Sequence, residues 1–165
     1  LFSSFAIYFD KPFTIGDFIA LGDSKGTVEK IGIKTTRIRS TMGEEIIISN
    51  KELTSARVNN FGRIKERRDV FKIGVTYETP TEKLKLIPSI IQKAVESTEL
   101  ARFDRAHFGS YGDFSLNFDV SYFMQTSDYK KFMDIKQEVN IKIKQGFEKE
   151  GIEFAYPTQK IFLSK

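Results

Sequence analysis

Residues 8–19 read Tyr-Phe-Asp-Lys-Pro-Phe-Thr-Ile-Gly-Asp-Phe-Ile and join an abruptly starting apolar segment to the first of a series of short β-like runs. Upstream, Leu1, Phe5 and Tyr8 or Phe9 recur at helical spacing. Pro12 ends that pattern, because it lacks an amide donor and pushes Lys11 toward extended geometry. The start has neither a basic leader nor a cleavage pattern, so it is not a signal peptide. On its residues alone it reads as an amphipathic helix packed on its own domain, and its abruptness predicts that the chain is a fragment. Downstream, residues 17–21, 27–33, 36–40, 45–49 and 57–61 are rich in Ile, Val, Thr and Phe. Gly22-Asp23, Thr41-Met42-Gly43-Glu44 and Asn50-Lys51 punctuate them as turns. Five short strands predict a small closed barrel, since closure removes edges that strands of this length would leave unpaired.

A charged stretch, residues 62–69, separates this half from one with a different pattern, and the domain boundary is placed there. Its basic cluster, Arg63, Lys65, Arg67 and Arg68, is read as a solvated linker or as pairing with acids on a neighbour rather than as a phosphate contact. Phe71, Ile73, Val75 and Tyr77 then alternate as a strand with one buried face. Thr79-Pro80-Thr81-Glu82 predicts a capping box with Pro at the first helical position, opening a helix that runs to Ser97. Pro88 predicts a kink or a shifted start within it. Residues 106–111 and 114–123 flank Gly112-Asp113, a pair suited to a two-residue hairpin. Leu116, Phe118, Val120 and Tyr122 form the inward face of the second strand. From Asp128, Phe132, Ile135, Val139, Ile143 and Phe147 follow steps of three and four along a long helix that Gly151 closes. With residues 152–154 as a last strand, the order strand-helix-strand-strand-helix-strand predicts a ferredoxin-like sandwich. The terminal run 159–163 needs a sheet edge or partner chains to be stable.

Composition excludes much chemistry. The 165 residues, 40% hydrophobic and 13% aromatic, suffice for one ordinary core or two small ones, and the net charge of +4 with interspersed signs serves solubility. No apolar run approaches the roughly 20 residues of a membrane-spanning helix. With no cysteine and one histidine, disulfides, thiolate metal sites and cysteine nucleophiles are out, and no catalytic, cofactor or metal residue is predicted. His107 is read as a surface or pairing residue of a strand. No carboxylate pair has an acid/base pattern, and the glycines lack the spacing of a phosphate-cradling loop. The rival to a structural role is a soluble RNA-binding barrel with an appended α/β domain, carried by Arg37, Arg39, Arg57 and Arg63. The inward alternation of the phenylalanines argues against the exposed stacking face that such binding requires.

Pro12-Phe13 with Gly16-Asp17, then Gly26-Thr27-Val28, Ile31-Gly32, Thr36-Arg37 and Asn50, and finally Tyr156-Pro157, stand in an order and spacing that resemble the cytoplasmic region of the small-conductance mechanosensitive channel family. Ser49 and Ala155 depart from it, each standing where that family often has Pro, and Thr158 separates Pro157 from Gln159. The resemblance implies an α+β chain in which residues 1–11 end a pore-lining helix and 12–64 form a five-stranded Sm-like barrel. Residues 65–156 would then be a ferredoxin-like domain and 157–165 a strand of an intersubunit barrel. It also implies a homoheptamer in an inner cell membrane, opened by tension, with this region in the cytoplasm filtering ions and other solutes. Membrane helices upstream of the chain, identical subunits and permeating ions are its implied partners, with no cofactor and no nucleic acid. By the same resemblance Phe5, Phe9, Pro12, Phe13, Gly16 and Asp17 shape the pore-helix junction. Gly26, Gly32, Thr36, Arg37 and Asn50 define the barrel, and Gln159, Lys160, Ile161, Phe162 and Leu163 form the basal strand.

Overall fold

The computed structural model describes residues 2–159 and 161 and divides into two units, Leu1–Lys65 and Glu66–Lys165, with separate apolar cores. The first unit runs α1 (Phe2–Asp10), β1 (Phe18–Leu21), β2 (Ser24–Ile31), β3 (Thr35–Ser40), β4 (Glu45–Ser49), α2 (Asn50–Ser55) and β5 (Asn59–Asn60). Period-two alternation turns Ile19 and Leu21 of β1, and Ile38 of β3, into a core shared with Ile7 of α1, Phe13 and Leu53 of α2. Burying Phe13, which is 1% exposed, stabilises the unit by about 1.5–3 kcal/mol. Strands β2 and β3 approach closely at Gly26, where a Cβ would be driven into the Arg39 carbonyl.

The antiparallel order is β4-β3-β2-β1-β5. Among the described residues no ladder joins β4 to β5, so the hydrogen-bonded ring expected of a closed barrel is not formed. The cause is the length of the last strand. In place of a strand over residues 57–61 there are two paired residues, and both are spent on Ile19 and Ala20 of β1. Asn50-Lys51 is likewise not a turn but the start of α2. Ser49 caps it, its hydroxyl accepting from the Glu52 amide at 3.2 Å. Ser49-Asn50-Lys51-Glu52 carries the Ser-x-x-Glu signature of a helix start, which the apolar run before it obscured.

The second unit runs β6 (Arg67–Val75), α3 (Thr81–Glu96), β7 (Ala101–Tyr111), β8 (Leu116–Met124) and α4 (Tyr129–Glu150), with antiparallel order β6-β8-β7. The inward face of β8 packs with Ile87 and Ile91 of α3 and Val139, Ile143 and Phe147 of α4. Asp128 caps α4 by accepting from the Lys131 amide at 2.9 Å, and that bond holds its carboxyl below the usual carboxylate range. Gly151 ends the helix in the left-handed region.

Five expectations change here. The last strand, 152–154, is reduced to an isolated bridge between Val75 and Phe154, so the sheet has three strands among the described residues. No capping box forms at α3. Pro80 is the N-cap and accepts nothing through its side chain, while the Thr79 hydroxyl bonds that of Thr76 at 3.1 Å. The start of the helix is not shifted by Pro88: it begins at Thr81, and Pro88 sits inside it. The hairpin pairs Tyr111 with Leu116, and Gly112 donates to the Ser115 carbonyl at 2.7 Å, which moves the turn to Asp113-Phe114. Finally, β7 begins at Ala101, five residues early. Its opening Arg102, Asp104 and Arg105 mask the alternation, and a bulge between Phe103 and Arg105 shifts its phase.

Candidate functional site

The exit from α1 is the most densely tied loop of the first unit. The Lys11 amide still bonds the Ile7 carbonyl at 3.1 Å, but Lys11 itself takes φ 43° in the left-handed region, and Pro12 prevents any further turn. Phe13 enters the core, and residues 14–17 fold back as a tight turn. The Asp17 amide donates to the Thr14 carbonyl at 3.1 Å, and the Thr14 amide donates to Asp17 Oδ2 at 2.9 Å. Gly16, at φ 95°, allows that reversal and donates to the Val28 carbonyl at 2.8 Å, while the Val28 amide donates to the Asp17 carbonyl at 2.8 Å.

Residues far along the chain complete the loop. Asn60 Nδ2 donates both to the Pro12 carbonyl at 3.0 Å and to Asp17 Oδ2 at 2.8 Å. Its Oδ1 accepts from the Gly62 amide at 2.8 Å, which fixes the orientation of the carboxamide. The Arg63 guanidinium donates to the Lys11 carbonyl. Gly62 lies so close that a Cβ would sit 2.8 Å from Asp17 Cα. Burial raises the pKa of Asp17, but the bonds from Asn60 and Thr14 and the charge of Arg63 outweigh it, so the carboxyl is held below its ordinary value.

A second cluster joins the β2–β3 loop to the start of α2. Thr36 and Asn50, 0% and 1% exposed, share a hydrogen bond of 2.8 Å from Thr36 Oγ1 to Asn50 Oδ1. Asn50 Nδ2 donates to the Gly32 carbonyl at 2.8 Å, and its amide donates to the Lys34 carbonyl at 2.9 Å. Gly32 leaves little room, since a Cβ would lie 2.9 Å from the Thr35 carbonyl oxygen.

The structure therefore brings Pro12, Gly16 and Asp17 into one knot, and Gly32, Thr36 and Asn50 into another. Gly26 and Arg37 lie apart from both, in the β2–β3 and β3–β4 pairings. Phe5 lies in α1, and Phe9 is exposed at its end, edge-on to Tyr8. Gln159 and Ile161 are exposed and in no regular element, while Lys160, Phe162 and Leu163 lie outside the described residues. Asn60 and Gly62 were not anticipated as site residues, and Arg63 was considered only as an RNA contact or a linker charge. The available signal was the pair Asn59-Asn60 inside a predicted strand, a context that asparagine disfavours unless its side chain is occupied.

Among the described residues no cluster of metal-ligating side chains gathers. His107 is exposed on β7, opposite Asp119 in register. A buried polar pair exists in the second unit, where Asp69 accepts from Lys136 Nζ at 3.0 Å beside the Tyr122 hydroxyl. Neither Asp69 Oδ2 nor Tyr122 Oη makes a hydrogen bond of standard geometry. Burial, with the adjacent Asp69 charge, pushes the Tyr122 phenol up. The RNA-binding alternative finds no support. Arg39 is gripped by Glu29 through two contacts of 2.9 Å, Arg37 bonds Glu45 at 3.2 Å, and Phe18 packs edge-on against Phe61 rather than presenting a stacking face.

Residues 1–63 match the model of the mechanosensitive ion channel β-domain, and residues 69–154 that of the mechanosensitive ion channel MscS C-terminal region. The chain is 42% identical over 161 residues to the small-conductance mechanosensitive channel MscMJ of Methanocaldococcus jannaschii, covering 96% of this chain and 46% of that protein. It spans about half the length of the first relatives that it matches. Its fold superposes on a solved structure of Arabidopsis thaliana MSL1 A320V with TM-score 0.85 and 18% identity, over 94% of this chain and 60% of that one. For Helicobacter pylori MscS in its closed state the TM-score is 0.80 at 20% identity, over 99% of this chain and 64% of that one.

Proposed function

The chain belongs to the MscS family of mechanosensitive channels, and from that premise we propose that it is the cytoplasmic region of an ion channel opened by membrane tension. The observation that carries this reading is the agreement of two family models with the two units, one model on each. On this reading α1 continues a pore-lining helix, and the whole protein crosses an inner cell membrane through segments N-terminal to Leu1. No helix among the described residues is long and apolar enough to cross a membrane.

The finer assignments follow the same reading. The five-stranded sheet of the first unit corresponds to an Sm-like barrel over residues 12–64 that stays open between β4 and the two-residue β5. The second unit is a ferredoxin-like domain over residues 65–156, supported by the order β6-β8-β7 and the Phe154 bridge at the outer strand. Identical subunits, seven in number, form a vestibule whose walls filter solutes before they reach the pore, and residues 159–163 join its base. Phe5, Phe9, Pro12, Phe13, Gly16 and Asp17 pass force between the pore helix and this vestibule. Gly26, Gly32, Thr36, Arg37 and Asn50 keep the barrel in register. The role is mechanical and electrostatic rather than enzymatic.

Patch recording decides it. Liposomes carrying the full-length protein are expected to pass current that rises steeply with graded suction, and no current at any tension short of rupture would sink the proposal.

A further inference from the structure

We infer that Asn60 and Arg63 tie the exit of α1 to the segment that leaves the first unit, and that this tie sets the tension at which the channel opens. The second half of the inference rests on the channel reading above.

A helix end leaves carbonyls without intrahelical partners. Just past the end of α1 the carbonyls of Lys11 and Pro12 are taken by Arg63 and Asn60, across sequence separations of 52 and 48 residues. The β5 ladder beside them is two residues long and is extended by a single bond from the Phe61 amide to the Phe18 carbonyl at 2.7 Å, so the backbone alone holds residues 59–63 through few bonds. The Asn60 side chain supplies what the ladder lacks. Both protons of Nδ2 are used, one on Pro12 and one on Asp17, and Oδ1 bends the chain at Gly62. Gly62 then packs against Asp17, and Arg63 adds its charge to the same carboxylate. Three residues after Arg63 the second unit begins. A displacement of the α1 end is therefore delivered to the covalent path toward the second unit without first passing through β2, β3 and β4. Conversely, an anchored second unit restrains the α1 end. Asn60 and Arg63 are positioning residues in this arrangement, acting through the carbonyls and the carboxylate that they hold.

Asn60→Asp isolates the tie. It keeps the shape and the acceptor for Gly62, removes both donors, and sets a second carboxylate against Asp17. In the 165-residue chain, amide exchange at residues 14–17 and at Gly62 is expected to quicken about tenfold, a typical effect of losing charge-assisted bonds. Exchange in β3 should stay unchanged. In the full-length protein the midpoint tension for opening is expected to fall, and pairing the change with Asp17→Asn, which restores a donor facing a carboxylate, should return part of the shift. Arg63→Gln, at an exposed position that leaves the core untouched, should lower the midpoint by a smaller amount. Variants whose exchange quickens while their midpoints equal that of the unsubstituted protein would overturn the gating role and leave the channel reading standing. Unchanged exchange in Asn60→Asp would overturn the tie itself. An unsubstituted protein without tension-activated current would overturn the channel reading and the gating role together.

Discussion

Asp17 shows how much one side chain can organise. It closes its own turn through Thr14 and receives Asn60 from the far end of the unit. Its carboxyl titrates below the ordinary value because the charged form collects these bonds despite burial. The folded state thus favours the carboxylate more than the unfolded chain does. Its contribution is complete above the unfolded value of about 3.9 and is lost as pH falls through the lower, folded one. Glu29, Glu44 and Asp128 are depressed as well, so acid sensitivity of the whole chain does not isolate Asp17. A comparison with Asp17→Asn does. In urea titrations of the first unit, the variant is expected to be less stable at pH 6 and to converge on the parent toward pH 2; a gap of constant size would show that the charge contributes nothing. Pro12 was legible as the end of a helix because its effect is local, whereas Gly16 and Asp17 entered through the family resemblance alone. The ties of Asn60 and Arg63 were not legible, since their partners lie 43 to 52 residues away and no local pattern encodes such a meeting.

Elements were legible in proportion to their periodicity. The inward face of β8 and the apolar stripe of α4 stand where the spacing put them, because each repeats its signal over many residues. Helix α2 and strand β5 are too short to show a period, and the bulges of β7 break one. Helix α3 is the case in which tertiary packing overrides propensity. Pro88 cannot donate to the Leu84 carbonyl, yet the helix runs on from Thr81 to Glu96, because Ile87 and Ile91 on either side of it are fully buried. That burial offsets a defect worth about 3 kcal/mol in an unsupported helix. Pro88→Ala restores the donor and loses only the packing of a half-buried ring, so it is expected to stabilise the second unit by about 1 kcal/mol or more after that loss, read as a raised urea midpoint. A lowered midpoint would mean that the ring is itself a packing element of the core.

At the scale of the whole molecule the decisive fact is that the two cores share no residue. Ile7, Phe13 and Ile38 belong to one, and Phe118, Val139 and Phe147 to the other. Hydrophobic stabilisation follows area removed from water within each core, so damage to one core is paid mainly by the elements packed into it. Phe118 makes the cleanest probe, being 1% exposed at the centre of β8, between β6 and β7. Phe118→Ala removes its transfer energy and leaves a cavity, a loss of about 3–5 kcal/mol for such a site. The slowest-exchanging amides of β6 and β8 should then quicken by the factor that this energy dictates, while those of β2 and β3, behind the Thr36–Asn50 bond, keep their rates. A matching acceleration in both sets would mean that the units unfold as one body.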